Sequence, residues 1–238
     1  MNFIKSGVKG LDIILKGGIR EGNSVLITGA AGTGKSILCL QFAQEAVKNK
    51  EPVLLITTEE SKENILDYAK TLGLNELLNS KLLNIMERSE IKYQMKTLTD
   101  PIKIVKEKKI KRVIFDSITF FDFLYIKDKT EYRTAILDFI KNMKENNVTV
   151  MMTSQKSTLD IDRLEYPIED FLFDGLIILT RIRKGSSFER VIHIAKMRGQ
   201  DHSLDIFPLT IGKGGIEVHD KELPFSLIER DESMSSKL

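Results

Sequence analysis

The chain has 238 residues, which fits one large domain or one domain with a small appendage. Lys plus Arg number 36 and Asp plus Glu 34, a net charge of +2, so neither a polybasic arm nor an acidic tail is its main feature, although a local basic patch remains open. Hydrophobic residues make up 42% and charged residues 29%, proportions that suit a folded chain with a real core and exclude a disordered one.

In chain order, Ser24-Val25-Leu26-Ile27-Thr28-Gly29 is a short apolar run that ends in glycine. A helix is expected from Gly34 to about Asn49, with Ile37, Leu40, Gln41, Phe42 and Ala43 around its inner face. Pro52 to Thr58 reads as a second strand, continuous in apolar residues as parallel strands are. Ser61 is an N-cap for the helix carrying Ile65, Leu66, Tyr68, Ala69 and Leu72, and Gly73 stops it. Leu82 to Met86 is a weaker strand. Asp100-Pro101 reads as a cap and first helical residue. Arg112 to Asp116 is a strong strand. Thr130 to Asn146 is an amphipathic helix with Ile136, Phe139, Ile140 and Met143 at i, i+3, i+4, i+7. Val148 to Thr153 is the next strand.

Around Ser154 the texture changes. Residues 155–170 are polar and irregular. Leu176 to Leu179 and Val191 to Ile194 then flank Lys184-Gly185-Ser186, a hairpin signal. Two short strands follow near Ile206-Phe207 and Ile216-Glu217-Val218. The expectation is one α/β domain over residues 1–230. Its central sheet is mostly parallel and flanked by helices, with a C-terminal antiparallel extension. Residues 231–238 read as a flexible tail.

Gly29-Ala30-Ala31-Gly32-Thr33-Gly34-Lys35-Ser36 fits Gly-x4-Gly-Lys-Ser. Its glycines let the backbone wrap with N–H groups pointing at phosphate oxygens. The helix that follows aims its positive end at the same place. Lys35 is expected to reach the β- and γ-phosphates and the Ser36 hydroxyl to bind Mg2+. A glycine-rich turn with a solvated lysine is the plain alternative. Arg112-Val113-Ile114-Phe115-Asp116 delivers one carboxylate to a strand end, where Asp116 can hold the same ion. Glu59-Glu60 follows the neighbouring strand. Either acid could polarise a water; equally, both could be acids favoured at a helix start. Spacing alone leaves that open.

Gly7-Val8-Lys9-Gly10-Leu11-Asp12-Ile13-Ile14-Leu15-Lys16-Gly17-Gly18-Ile19 resembles the lead-in of KaiC proteins. Lys196-Met197-Arg198-Gly199 resembles their Lys-Leu/Met-Arg-Gly motif. With the phosphate loop between them in family order, the chain resembles the KaiC and archaeal RadA-like ATPases of the RecA superfamily, from about Gly7 to Val218. The resemblance implies a RecA-like P-loop NTPase that uses ATP and Mg2+. It implies nucleotide contacts from Ala31, Gly32, Thr33, Gly34, Lys35, Ser36, Ile37 and Thr71, and makes Glu59 and Glu60 the catalytic acids beside Lys35, favouring Glu59 as the base. It implies that Lys196, Met197, Arg198, Gln200 and His202 reach the nucleotide of a neighbouring subunit. On residues alone, Lys196 and Arg198 read as a solvated strand end. Such a head-to-tail contact closes into a ring, expected to be a hexamer, or runs on as a filament. Thr153, Ser154 or Gln155 stand where the γ-phosphate would be sensed.

Some features depart from the relatives. There is length for one ATPase domain where clock KaiC carries two. Asp170-Phe171 stands where the clock autokinase has its Ser-Thr acceptors, so no autophosphorylation of that type is expected. The first core strand begins near Ser24, so a recombinase's N-terminal DNA-binding domain is not expected. Asp160, Asp162, Glu165, Glu169 and Asp170 outnumber Lys156 and Arg163 in the loop after Ser154, against a phosphate-backbone channel. The basic cluster Lys103, Lys106, Lys108, Lys109, Lys111 and Arg112 reads as a solvated face. Phe120 to Tyr125 reads as core or a subunit contact. His193 reads as structural. One cysteine, Cys39, excludes an internal disulfide and a Cys-rich zinc site. No apolar run approaches a spanning helix, and Met1 to Gly7 lacks a signal-peptide profile. A cytoplasmic protein without a membrane partner is expected.

The leading expectation is a slow MgATPase with nucleotide at subunit interfaces, acting as a nucleotide-dependent assembly or regulatory protein. The alternatives are an ATP-switched scaffold that barely hydrolyses, like the archaellum accessory ATPase, and a recombinase paralogue on single-stranded DNA. Nucleic acid is thus open but not favoured.

Overall fold

The computed structural model describes residues 2–90, 99–119, 129–155 and 168–225. It opens with an antiparallel ribbon of β1 (Phe3–Ile4) and β2 (Ile19–Arg20), with the short helix α1 (Leu11–Ile14) between them. The α/β body follows as β3 (Ser24–Gly29), α2 (Lys35–Lys48), β4 (Val53–Thr57), α3 (Lys62–Thr71), α4 (Asn75–Leu78), β5 (Leu83–Glu87), α5 (Thr99–Glu107), β6 (Arg112–Asp116), α6 (Lys129–Glu145) and β7 (Thr149–Gln155). The last part is β8 (Gly175–Lys184), β9 (Ser187–Met197), β10 (Ile206–Gly212) and β11 (Gly215–Val218).

Among the described residues one sheet of nine strands runs in the order β11-β10-β9-β8-β3-β7-β6-β4-β5. The pairs from β8 to β5 are parallel. Those from β8 to β11 are antiparallel. The sheet is therefore the mostly parallel one expected, with the antiparallel extension at one edge. β8 belongs to both parts, parallel to β3 and antiparallel to β9.

Alternation sends each strand's side chains to two cores. Val25, Ile27, Val53, Leu55, Ile114 and Met151 pack with Leu38, Phe42 and Ala46 of α2. Leu26, Leu54, Ile56, Val113, Phe115 and Met152 pack on the other face with Phe139 and Met143 of α6. Phe115 and Phe139 meet edge to face at 6.2 Å. Each such fully buried aliphatic or aromatic side chain contributes about 1.5–3 kcal/mol relative to exposure. Both faces are covered, which is why these strands read as continuous apolar runs.

Several boundaries differ from expectation. Helix α5 starts at Thr99, so Asp100 lies inside it. Pro101 is tolerated there because the first-turn N–H groups have no helical partner in any case. β8 and β9 extend well beyond their apolar halves. Residues 180–184 pair only with β9, so they carry exposed Arg181 and Arg183. Arg112 is not part of a solvated basic face. It is 2% exposed, its Nε donates to Glu51 at 2.7 Å, Nη1 donates to the Lys5 carbonyl at 2.8 Å, and the guanidinium lies over Phe42. It sits in a strand, while Lys103, Lys106, Lys108 and Lys109 remain exposed as expected. Phe120 to Tyr125, residues 156–167 and the tail 231–238 lie outside the described residues.

Candidate functional site

β3 ends at Gly29, and α2 begins at Lys35 after a left-handed Gly34 (φ 111°). No side chain caps α2. By contrast, Ser61 caps α3 by accepting from the Asn64 N–H at 3.2 Å. The first N–H groups of α2 are thus left for a ligand at the helix's positive end. Gly32 is also left-handed (φ 74°), and the space where a side chain would sit is open. Thr33 is buried and its hydroxyl donates to the Ala30 carbonyl at 2.9 Å, which fixes the turn. Ala31 and Gly32 are exposed, and Gly34, Ser36 and Ile37 half-buried.

Lys35 Nζ is drawn into this loop, donating to the Gly29 carbonyl at 2.8 Å and the Ala30 carbonyl at 3.0 Å. Burial pushes the ammonium below its ordinary pKa, against the opposing pull of Asp116 and Glu59. A half-buried cation whose hydrogen bonds among the described residues all go to carbonyls is a good partner for an incoming anion.

The parallel strands bring the other chemistry to the same end of the sheet. Asp116 closes β6 and accepts a hydrogen bond from the Thr153 hydroxyl of β7. Its negative charge also acts on Lys35 and, one turn further into α2, on the buried Cys39 thiol, whose pKa is pushed well up chiefly by burial. Asp116 therefore faces the first turn of α2, where Ser36 sits. Ser154 follows on β7, half-buried, and the Gln155 N–H donates to Thr119 Oγ1 at 2.8 Å.

Glu59 and Glu60 separate clearly. Glu60 Oε2 accepts from Asn64 Nδ2 at 2.9 Å and from the Tyr68 hydroxyl at 3.3 Å. It is fastened to α3. Glu59 is exposed, its carboxylate has no hydrogen-bond partner among the described residues, and its charge acts on Lys35. Thr71 lies at the far end of α3, roughly 14 Å from the helix start. There it adjoins the β10–β11 turn, whose Gly214 N–H donates to the Leu72 carbonyl.

The expected neighbour-facing residues lie at the other end of the sheet. Met197 pairs with Gly175, which pairs with Val25 at the start of β3. Gly29 is four residues further along, at roughly 3.3 Å each, about 13 Å away before the loop itself is counted. Lys196 and Arg198 project to the same side. Lys196 Nζ donates to the Asp170 carbonyl at 3.3 Å and lies over the Phe171 ring; burial, then nearby Arg198, lowers its pKa. Arg198 is exposed and its Nη2 donates to the Phe171 carbonyl at 3.1 Å. Met197 points into the core, 5% exposed. Gln200 uses both ends of its amide within the chain: Nε2 donates to the Leu15 and Gly18 carbonyls at 3.1 and 2.9 Å, and Oε1 accepts from the Arg20 N–H at 3.2 Å. His202 Nδ1 lies 2.9 Å from the Ser203 carbonyl.

Sequence reasoning missed Arg190. On β9 its Nε lies 3.5 Å from the Gly32 carbonyl, so its guanidinium stands beside the phosphate loop. It belongs to no motif, and only the strand register brings it there.

A family model described as "ATPase: KaiC" matches residues 4–223. The chain belongs to the KaiC ATPase family. It is 31% identical over 231 residues to the circadian clock oscillator protein KaiC of Parasynechococcus marenigrum (strain WH8102), covering 90% of this chain and 44% of that protein. The KaiC of Nostoc sp. (strain PCC 7120 / SAG 25.82 / UTEX 2576) is 29% identical, with 90% and 44% covered. The chain thus spans less than half the length of these relatives. A crystal structure of a KaiC-like protein from the hyperthermophilic archaeon Pyrococcus horikoshii OT3 superposes with a TM-score of 0.76 at 27% identity, covering 92% of this chain and 99% of that one. Fold and loop are those of a RecA-like P-loop protein. Among the described residues no helix is long and apolar enough to cross a membrane.

The site of this KaiC-family chain fits a metal–triphosphate. The Ser36 hydroxyl and Asp116 carboxylate are hard oxygen donors, of the kind that binds Mg2+ alongside phosphate and water. The uncapped helix start, the open space at Gly32 and the half-buried Lys35 ammonium suit the phosphates.

Proposed function

We propose that this chain is a MgATP-binding, slowly hydrolysing ATPase whose site is completed by a second copy, and that assembly responds to the bound nucleotide. The observation that carries this reading is the separation of Lys196 and Arg198 from their own phosphate loop by the length of β3. An arginine or lysine side chain cannot cross that distance, whereas a head-to-tail neighbour brings the two ends together.

In this reading the backbone from Ala31 to Ser36 and the Lys35 ammonium hold the β- and γ-phosphates, with Ile37 and Thr71 at the margin. Mg2+, held by Ser36 and Asp116, would neutralise charge on the phosphates. Glu59 accepts a proton from water as the water oxygen bonds to the γ-phosphorus and the bond to the ADP oxygen breaks. Glu60 holds the start of α3. Thr153 and Ser154 relate the γ-phosphate end to β7. Lys196 and Arg198 stabilise the charge on the neighbour's γ-phosphate. Met197 keeps those two aligned from the core, while Gln200 and His202 shape the turn that follows. A closed ring such as a hexamer, or a filament, satisfies this contact equally.

Light scattering after size exclusion tests the reading. MgATP is expected to convert wild type into a larger assembly and to leave Arg198→Ala small. A monomer under all conditions would refute it.

A further inference from the structure

We propose that Arg20 is a further residue contributed across the subunit boundary, which with Arg198 holds phosphate oxygens of the nucleotide on the neighbouring copy. The proposal rests on the two-copy site above and adds to it a residue that belongs to neither resembled motif.

The geometry begins with Gly199. It is left-handed (φ 74°), and a side-chain carbon there would lie 2.7 Å from Arg20 Nη1. The Arg20 guanidinium therefore lies directly against the turn that carries Arg198. Gln200 fixes the arrangement by accepting the Arg20 N–H and donating to the Gly18 carbonyl, so β2 is fastened to the turn through its backbone. The Arg20 side chain itself has no hydrogen-bond acceptor or ion-pair partner among the described residues, although it is half-buried.

Arg20 and Arg198 line one cleft of about 340 Å³ together with Glu21, Asn23, Lys144 and Asp174. Its acids are already engaged. Asp174 Oδ2 accepts from the Ser24 N–H and hydroxyl at 3.0 and 3.1 Å, and Oδ1 lies 3.6 Å from Lys144 Nζ. Glu21 accepts from the Asn147 and Asn2 side-chain amides at 3.2 and 3.4 Å. Three cations face two committed carboxylates; Lys144 alone has an ion pair, Arg198 donates to the Phe171 carbonyl, and the Arg20 side chain has neither among the described residues. Two guanidinium side chains lining one polar cleft are matched by an anion that accepts from both, which a terminal phosphate does. The cleft lies at the end of the sheet away from the chain's own phosphate loop, which is the end that the two-copy site proposed above turns toward the neighbour's loop.

Phosphate release and subunit mixing test the assignment. Arg20→Ala is expected to lower MgATP turnover about tenfold at full assembly, and Arg20→Lys to restore only part of it. Mixing Arg20→Ala with Lys35→Ala subunits in equal amounts is expected to raise turnover severalfold above the mean of the two alone. The Lys35→Ala copies lack a working loop but offer an intact Arg20. Arg20→Gln, which keeps the backbone contact to Gln200, replaces the alanine variant if that one unfolds. Turnover of the Arg20 variants within twofold of wild type, or a deficit that mixing does not repair, would overturn the proposal. The pair Arg198→Ala with Lys35→Ala separates the two levels. If it complements while Arg20 variants behave as wild type, only Arg20 is misassigned. If it fails too, the two-copy site falls, and Arg20 with it. A wild type that neither turns over MgATP nor assembles with it overturns both.

Discussion

The hydroxyl of Thr153 donates to the carboxylate of Asp116, joining the ends of β7 and β6. The bond engages one oxygen of the acid, Oδ1, and in the function proposed above the other is the one that would face Mg2+. Thr153→Val is expected to raise the Mg2+ concentration for half-maximal ATP turnover roughly fivefold, the worth of one hydrogen bond of about 1 kcal/mol. Thr153→Ser is expected to stay near wild type. A Mg2+ titration of phosphate release reads this directly, and identical titrations for all three proteins would contradict it.

The two acids after β4 differ in what already holds them. Glu60 is bound to Asn64 and Tyr68, and Glu59 is free toward Lys35. Glu59→Gln is expected to reduce turnover about 100-fold or more with ATP binding retained. Glu60→Gln is expected to cost about 1 kcal/mol of stability at most and to change turnover little. Parallel measurements of phosphate release and nucleotide affinity distinguish them; a larger turnover loss in the Glu60 variant would reverse the assignment.

Lys35 gives a pH dependence whose sign follows from burial. The folded protein disfavours the ammonium, so its pKa lies below the ordinary 10.5 and the unfolded chain binds more protons in that window. Stability of the nucleotide-free protein therefore gains from Lys35 deprotonation as pH rises toward 10.5. Lys35→Met removes that gain. Denaturant melts of both proteins between neutral and alkaline pH are expected to show a smaller upward contribution in the variant. Equal slopes would show that burial does not disfavour this ammonium.

Gly10 tests the packing that holds the N-terminal segment to the far sheet edge. It is left-handed (φ 81°), and a side-chain carbon would lie 2.0 Å from the Val218 carbonyl oxygen. Beside it, the Val218 N–H donates to the Lys9 carbonyl at 2.9 Å. Gly10→Ala is expected to destabilise the fold by about 2–4 kcal/mol in denaturant titration. A wild-type midpoint would show that the segment is not seated there.

Much of this was legible in the residues because the signals were strong and local. Continuous apolar runs marked β3, β4, β6 and β7, and the Ser61 cap and Gly73 stop bounded α3 where the structure has them. The phosphate loop announced itself through glycine spacing. Other features had no local signal. β1 and β2 are two residues each, too short for any periodicity. The outer half of β8 is polar because it extends past β3 and pairs only with β9, and beyond Arg190 the tip of β9 pairs only with β8. Arg112 looked like one more solvated cation, since burial of a charge depends on partners as distant as Glu51 and Phe42. Arg20 and Arg190 are placed by turn and register, which no motif encodes. The unequal standing of Glu59 and Glu60 likewise needed the positions of Asn64 and Tyr68.

The central claim is that one chain holds the triphosphate and another completes the pocket. Specific ATP turnover measured against protein concentration at saturating MgATP tests it most directly. Turnover per chain is expected to fall toward zero as dilution separates the subunits and to reach a plateau on assembly. Turnover per chain that stays constant down to concentrations where light scattering finds only monomer would contradict it.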